Sequence, residues 1–192
     1  MNEFQAYFTL GYRHIADINA YDHMLFLAVL CAVYSIKDWR KIIVMVTAFT
    51  VGHSITLAAA VMDIFTLPSD IVEILIPVTI VATGISNLFP TRDHSNRRVY
   101  FLTLLFGFIH GMGFSNFLKA SLMEGMDESI FTPLLAFNLG VEAGQLLIVA
   151  IILAVAWLVL DLLKLSEKYW RIGISVAGIV LALQLIYQLV FV

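Results

Sequence analysis

The sequence predicts an all-α fold, a polytopic membrane helix bundle of six transmembrane helices, or seven if the N-terminal segment folds in. Three observations predict it. Of 192 residues, 61% are apolar and only 13% charged, well above the roughly 45 to 50% apolar share of soluble domains. The apolar residues fall into long runs, and a helix needs about 20 residues to cross about 30 Å of hydrocarbon. The cations alternate from one inter-run connection to the next. This length leaves room for a single integral membrane domain, residues 1–192, without an appended soluble one.

Taken in order, residues 1–18 form an N-terminal segment too short and polar to cross, whose Phe4, Tyr7, Phe8 and Tyr12 suit an interfacial helix. Spans are expected near 20–36, 41–65, 71–90, 98–121, 131–160 and 170–191, where apolar runs are bounded by charge, Pro or Gly. Lys37, Arg40 and Lys41, then Arg92, Arg97 and Arg98, then Lys164, Lys168 and Arg171 make nine of the eleven cations, all in odd-numbered connections. Arg13 and Lys119 are left for the other side. The positive-inside rule therefore expects an inner-membrane protein with both termini extracytoplasmic. The start Met1, Asn2, Glu3 has no cationic n-region, and no removable signal peptide is expected.

The same composition excludes several functions. No basic tract suits nucleic acid, and no nucleotide-binding motif is present. A single cysteine, Cys31, sits in an apolar run and excludes a disulfide framework or thiolate metal cluster. The opposite loops are acidic, with Asp63 and Asp70, then Glu124, Asp127 and Glu128. These read as solvated surface charges that also raise the local concentration of cations. His94, in the Arg-rich connection, is expected to be solvated.

The other four histidines, His14, His23, His53 and His110, lie in or beside the apolar runs. Polar groups at membrane depth are costly unless partnered and mark functional sites. Counting 1.5 Å per residue from each outer end puts Asp22, His23 and Glu73 about 5 Å deep, Asn138 about 10 Å, and His53, His110 and Glu142 about 15 Å. Asn138, Glu142 and Gln145 share one helix face by their i, i+4, i+7 spacing. Gly107 with Gly111, and Gly140 with Gly144, are small-xxx-small pairs that admit close helix approach. Close packing of the fourth and fifth spans on them would join His110 to Glu142.

Imidazole and carboxylate without thiolate suit zinc, nickel, cobalt or iron(II). The expected metal ligands are His14, Asp22, His23, His53, His110 and Glu142, supported by Glu73, Asn138 and Gln145. Two functions use such a set. A divalent-metal permease would hold its ligands as a ladder along the membrane normal, with Asp22, His23 and Glu73 capturing the ion above the deeper His53, His110 and Glu142. A zinc-dependent intramembrane hydrolase of a lipid or peptide amide or ester would instead close three imidazoles around one ion, with Asp22, Glu142 or Ser54 as candidate catalytic groups. A proton relay of His and Glu needs no metal at all.

The stretches "GYRHIADINAYDHMLFLAVL", "FTVGHSITLA", "IVEILIPVTI", "FGFIHGMGFSNFL" and "FNLGVEAGQL" resemble the HupE/UreJ family, in particular its shorter second branch. The resemblance implies a nickel or cobalt permease and, with it, metalloenzyme maturation partners. It also implies metal handling by His14, Asp22 and His23, although the spacing from His14 to Asp22 is longer here than in the nickel-linked pattern. A looser likeness is to ceramidase-type and adiponectin-receptor-type membrane hydrolases. His53 precedes Ser54 and His110 precedes Ser115, but their spacings differ from that group's.

Overall fold

The computed structural model describes residues 2–18, 21–89, 96–123 and 130–191. The sequence expectations for His94, Glu124, Asp127 and Glu128 fall outside the described residues. Every regular element among those described is helical. The order is α1 (Glu3–Ile15), α2 (Asp22–Cys31), a 3-10 turn (Ile36–Asp38), α3 (Trp39–Val61), α4 (Ser69–Leu88), α5 (Asn96–Gly113), α6 (Ser115–Met123), α7 (Phe131–Trp157, ending in a π turn over Leu158–Leu162) and α8 (Glu167–Phe191).

Four of these segments are long and apolar enough to cross a bilayer: Ile36–Val61, Ser69–Leu88, Phe131–Leu162 and Glu167–Phe191. Two more apolar helices, Asp22–Cys31 and Val99–Gly113, are shorter. Local chemistry explains why the runs expected near 20–36 and 98–121 shrink. Ser35 donates to Asp38 through both its N–H and its hydroxyl, 3.3 Å each, and this cap opens the 3-10 turn into α3, so α2 has ended by then. At the other run, Gly113, a poor helix former, precedes a turn at Phe114 that separates α5 from α6.

The N-terminal segment is a capped helix. Asn2 Oδ1 accepts from Gln5 N–H at 2.8 Å while Gln5 Oε1 accepts from Asn2 N–H at 3.3 Å, a capping box. The helix docks on α7 at a glycine seam. A Cβ at Gly140 would run into the carbonyl of Phe8, and one at Gly11 into that of Phe137.

The other major pairings are α3 with α5 and α4 with α8. The first uses Gly52, Gly107 and Gly111, whose missing Cβ atoms let the carbonyls of Leu104, Phe49 and His53 approach. The expectation that Gly107/Gly111 and Gly140/Gly144 would join the fourth and fifth spans is therefore corrected: α5 spends its glycines on α3, and α7 spends its own on α1. Lys119 pairs with Asp63, tying α6 to the α3–α4 connection.

The core is aromatic and aliphatic, with Phe26, Phe49, Phe137, Leu27, Met45 and Ile80 fully buried. Outward faces are apolar as well, as at Val51 and Ile55 on α3 and Val180 and Leu183 on α8. Apolar surface on that scale calls for a lipid covering.

Candidate metal centre

Four helices each deliver one imidazole to one place: His14 from α1, His23 from α2, His53 from α3 and His110 from α5. His14, His23 and His53 each offer a ligand nitrogen, and the three lie within 4.8 Å of one another. The His110 ring sits 5.1 Å from that of His23, centroid to centroid. His53 and His110 are 0% and 1% exposed, so neither can be satisfied by bulk water. Phenyl rings wall the group: Phe114 lies 4.0 Å from His14, and Phe49 5.0 Å and Phe26 5.3 Å from His110.

Hydrogen bonding fixes what these rings present. His23 Nδ1 donates to Asp22 Oδ1 at 2.9 Å. His53 Nδ1 faces Asn138 Oδ1 at 3.3 Å, and the Asn138 amide is oriented by Nδ2 donating to Leu134 O at 2.8 Å. His110 Nδ1 donates to Phe106 O at 2.8 Å. An acceptor at each Nδ1 keeps the proton there and leaves the lone pair on Nε2. Those Nε2 atoms, and that of His14, are buried without a hydrogen-bond partner among the described residues.

The three Nε2 acceptors of His23, His53 and His110, and the unpartnered Nε2 of His14, would cost about 1 to 3 kcal/mol each in an apolar cage with nothing to bind. A divalent cation could take up those of His14, His23 and His53, with His110 beside them, and the carboxylate, amide or carbonyl behind three of the rings is the usual support of a metal-bound imidazole. Tetrahedral ligation at about 2.0 to 2.1 Å needs nitrogens about 3.3 Å apart.

His23 is the second residue of α2 and is buried. The first turn of that helix carries Asp22, whose Oδ1 also accepts the His23 N–H at 2.9 Å and lies where the helix dipole favours an anion. The sequence count of depth placed His23 above His53 and His110. Their rings are in one compact group instead.

The remaining predicted residues sit around this group rather than in it. Glu142 Oε1 accepts from Thr47 Oγ1 at 2.7 Å, and Gln145 Oε1 from Thr50 Oγ1 at 2.8 Å. With His53 and Asn138 these pairs make a polar seam between α3 and α7. Thr47, Thr50 and His53 recur every three residues on α3, and that spacing was the available signal for the two threonines. Ser54 Oγ donates to Thr50 O at 2.6 Å. Ser115 Oγ donates to Met112 O at 2.8 Å. Glu73 is exposed and lines a cavity that also reaches Asp22. The phenyl walls had no sequence signal beyond general apolarity.

Neither the curated proteins nor the solved structures contain a match to this chain. The family described as HupE / UreJ protein matches residues 1–191, from α1 with His14 through the last helix, so the chain belongs to the HupE/UreJ family.

Proposed function

We propose that this protein is an inner-membrane permease for a divalent transition metal ion, nickel or cobalt, which it holds on the imidazoles of His14, His23, His53 and His110 beside Asp22. The observation that carries the reading is the set of four buried Nε2 atoms without partners among the described residues, three of them on rings whose Nδ1 is already bonded. Imidazole nitrogen with one carboxylate suits late first-row divalent ions. In this reading the chain crosses the bilayer six times, the short helices α2 and α5 included, with both termini outside. The Thr47–Glu142 and Thr50–Gln145 pairs continue from the imidazoles toward the basic end of the bundle. They give Glu142 the part of a release-side group rather than a partner of His110.

The test is metal accumulation in cells or proteoliposomes. His53→Ala and His110→Ala are each expected to abolish uptake of nickel or cobalt, and unchanged uptake in both would eliminate the permease. One observation favours a second reading, a zinc-dependent hydrolase: the imidazoles are compact rather than strung along the membrane normal. Zinc held there would supply an activated water. Elemental analysis separates the two, since substoichiometric nickel or cobalt accords with a carrier and one tightly held zinc with an enzyme.

A further inference from the structure

The α4–α8 pair is closed at one end and open at the other. At Gly84 a Cβ would meet Ile179 side-chain atoms and come within 3.2 Å of the Ser175 carbonyl, so the two backbones nearly touch there. Toward the start of α4 and the end of α8 they part, leaving a cavity of about 200 Å³ bordered by α2. Tyr21, Asp22, Glu73 and Gln188 are the polar side chains in a lining that is otherwise apolar, with Pro77 and Leu185 among it. A single water needs only about 10 to 15 Å³ of such space, so the cleft admits a cation with hydration waters.

Two features give the cavity a chemistry. Pro77 lies inside α4 and has no N–H, so the Glu73 carbonyl one turn earlier has no helical donor. Glu73 thus brings a carboxylate to the cavity wall, on a turn whose carbonyl lacks its usual helical partner, and hard oxygen donors hold a hydrated divalent ion weakly. At the inner end stands Asp22, in the cavity wall and hydrogen-bonded to the ring of His23, whose Nε2 is one of the orphaned acceptors. One carboxylate therefore belongs to both the cavity and the imidazole group.

We propose that the cleft between α2, α4 and α8 is the route by which the divalent cation reaches the imidazoles, with Glu73 as the capture group at its mouth and Asp22 as the hand-off to His23. This rests on the permease reading for its ion and adds the path, the order of contacts and a part for α8. Oxygen donors come first and strip few waters. The imidazoles then discriminate, since nitrogen ligands favour nickel and cobalt over magnesium or calcium.

The experiment follows binding rather than transport, with Co2+ as the probe and the growth of its ligand-field absorption on purified protein in nanodiscs as the readout. Cys31, the sole native thiol, is buried, so a cysteine introduced at the cleft takes a bulky maleimide selectively. Labelled Gln188→Cys is expected to bind Co2+ about tenfold more slowly than the same variant unlabelled, with unchanged final stoichiometry. Labelled Val180→Cys, on the outer face of α8, keeps the normal rate. Glu73→Gln is expected to slow association about tenfold at low ionic strength, with the gap closing as salt screens the charge. If labelled Gln188→Cys and Glu73→Gln both bind at the normal rate, the route is wrong while the imidazole site stands. If unmodified protein gives no imidazole-ligated Co2+ spectrum, the permease reading and the route fall together.

Discussion

At the imidazoles the deciding chemistry lies on the side away from the unpartnered Nε2 atoms. Asp22 behind His23 and Asn138 behind His53 hold the Nδ1 protons and so aim the Nε2 lone pairs inward. Removing either support leaves the imidazole in place but frees its tautomer and ring orientation. Asp22→Asn and Asn138→Ala are each expected to weaken Co2+ affinity about 10- to 100-fold by calorimetric titration, without changing how many ions bind. An affinity equal to that of the unaltered protein in both would show that the supports are incidental. The histidines were legible from sequence because imidazoles are rare in oily runs. Their grouping was legible only in part. Depth counting assumes that each helix starts at the membrane surface, and α2 starts at Asp22, already within ring contact of His110 through His23.

Among elements, the glycines decide who touches whom. Gly107 faces the carbonyl of Phe49 and Gly140 that of Phe8, so a side chain at either wedges two backbones apart. Gly107→Leu and Gly140→Leu are expected to destabilise the bundle by about 1 to 3 kcal/mol or more, read from reversible unfolding in SDS. Gly173 on α8 has nothing within 4 Å of its would-be Cβ, and Gly173→Ala should leave stability the same or slightly higher. Equal effects at all three positions would mean that the seams do not hold the helices. A small-xxx-small pair read in sequence announces that a helix can be approached closely but not which neighbour approaches. Hence the glycines were found and their partners misassigned. The same limit hid the docking of α1, whose Gly11 reads as ordinary until α7 lies against it.

Over the whole molecule, the fold class was legible because apolar runs of about 20 residues leave few alternatives to membrane helices. The number of crossings was less so, because Asp22–Cys31 has 10 residues, about 15 Å of helix at 1.5 Å each. Such a helix spans only with help from the chain on either side. The cations make a prediction where the lengths do not. Lys37, Arg40 and Lys41 follow α2, and Lys164, Lys168 and Arg171 flank the start of α8, whereas Asp63 follows α3 and Asp70 stands in the first turn of α4. If all six apolar helices cross, Asn2 and Asp70 share the outer side, and Lys37 and Lys168 the inner. Single cysteines at these four positions, probed on intact cells with a membrane-impermeant maleimide, test it, since buried Cys31 stays silent. Asn2→Cys and Asp70→Cys should label at once, and Lys37→Cys and Lys168→Cys only after permeabilisation. Labelling of Asn2→Cys and Lys37→Cys from the same side would mean that α2 turns back rather than crosses. The imidazole centre would then sit on a re-entrant segment, reached and left from one face of the membrane, and a through-path for the ion would lose its physical basis.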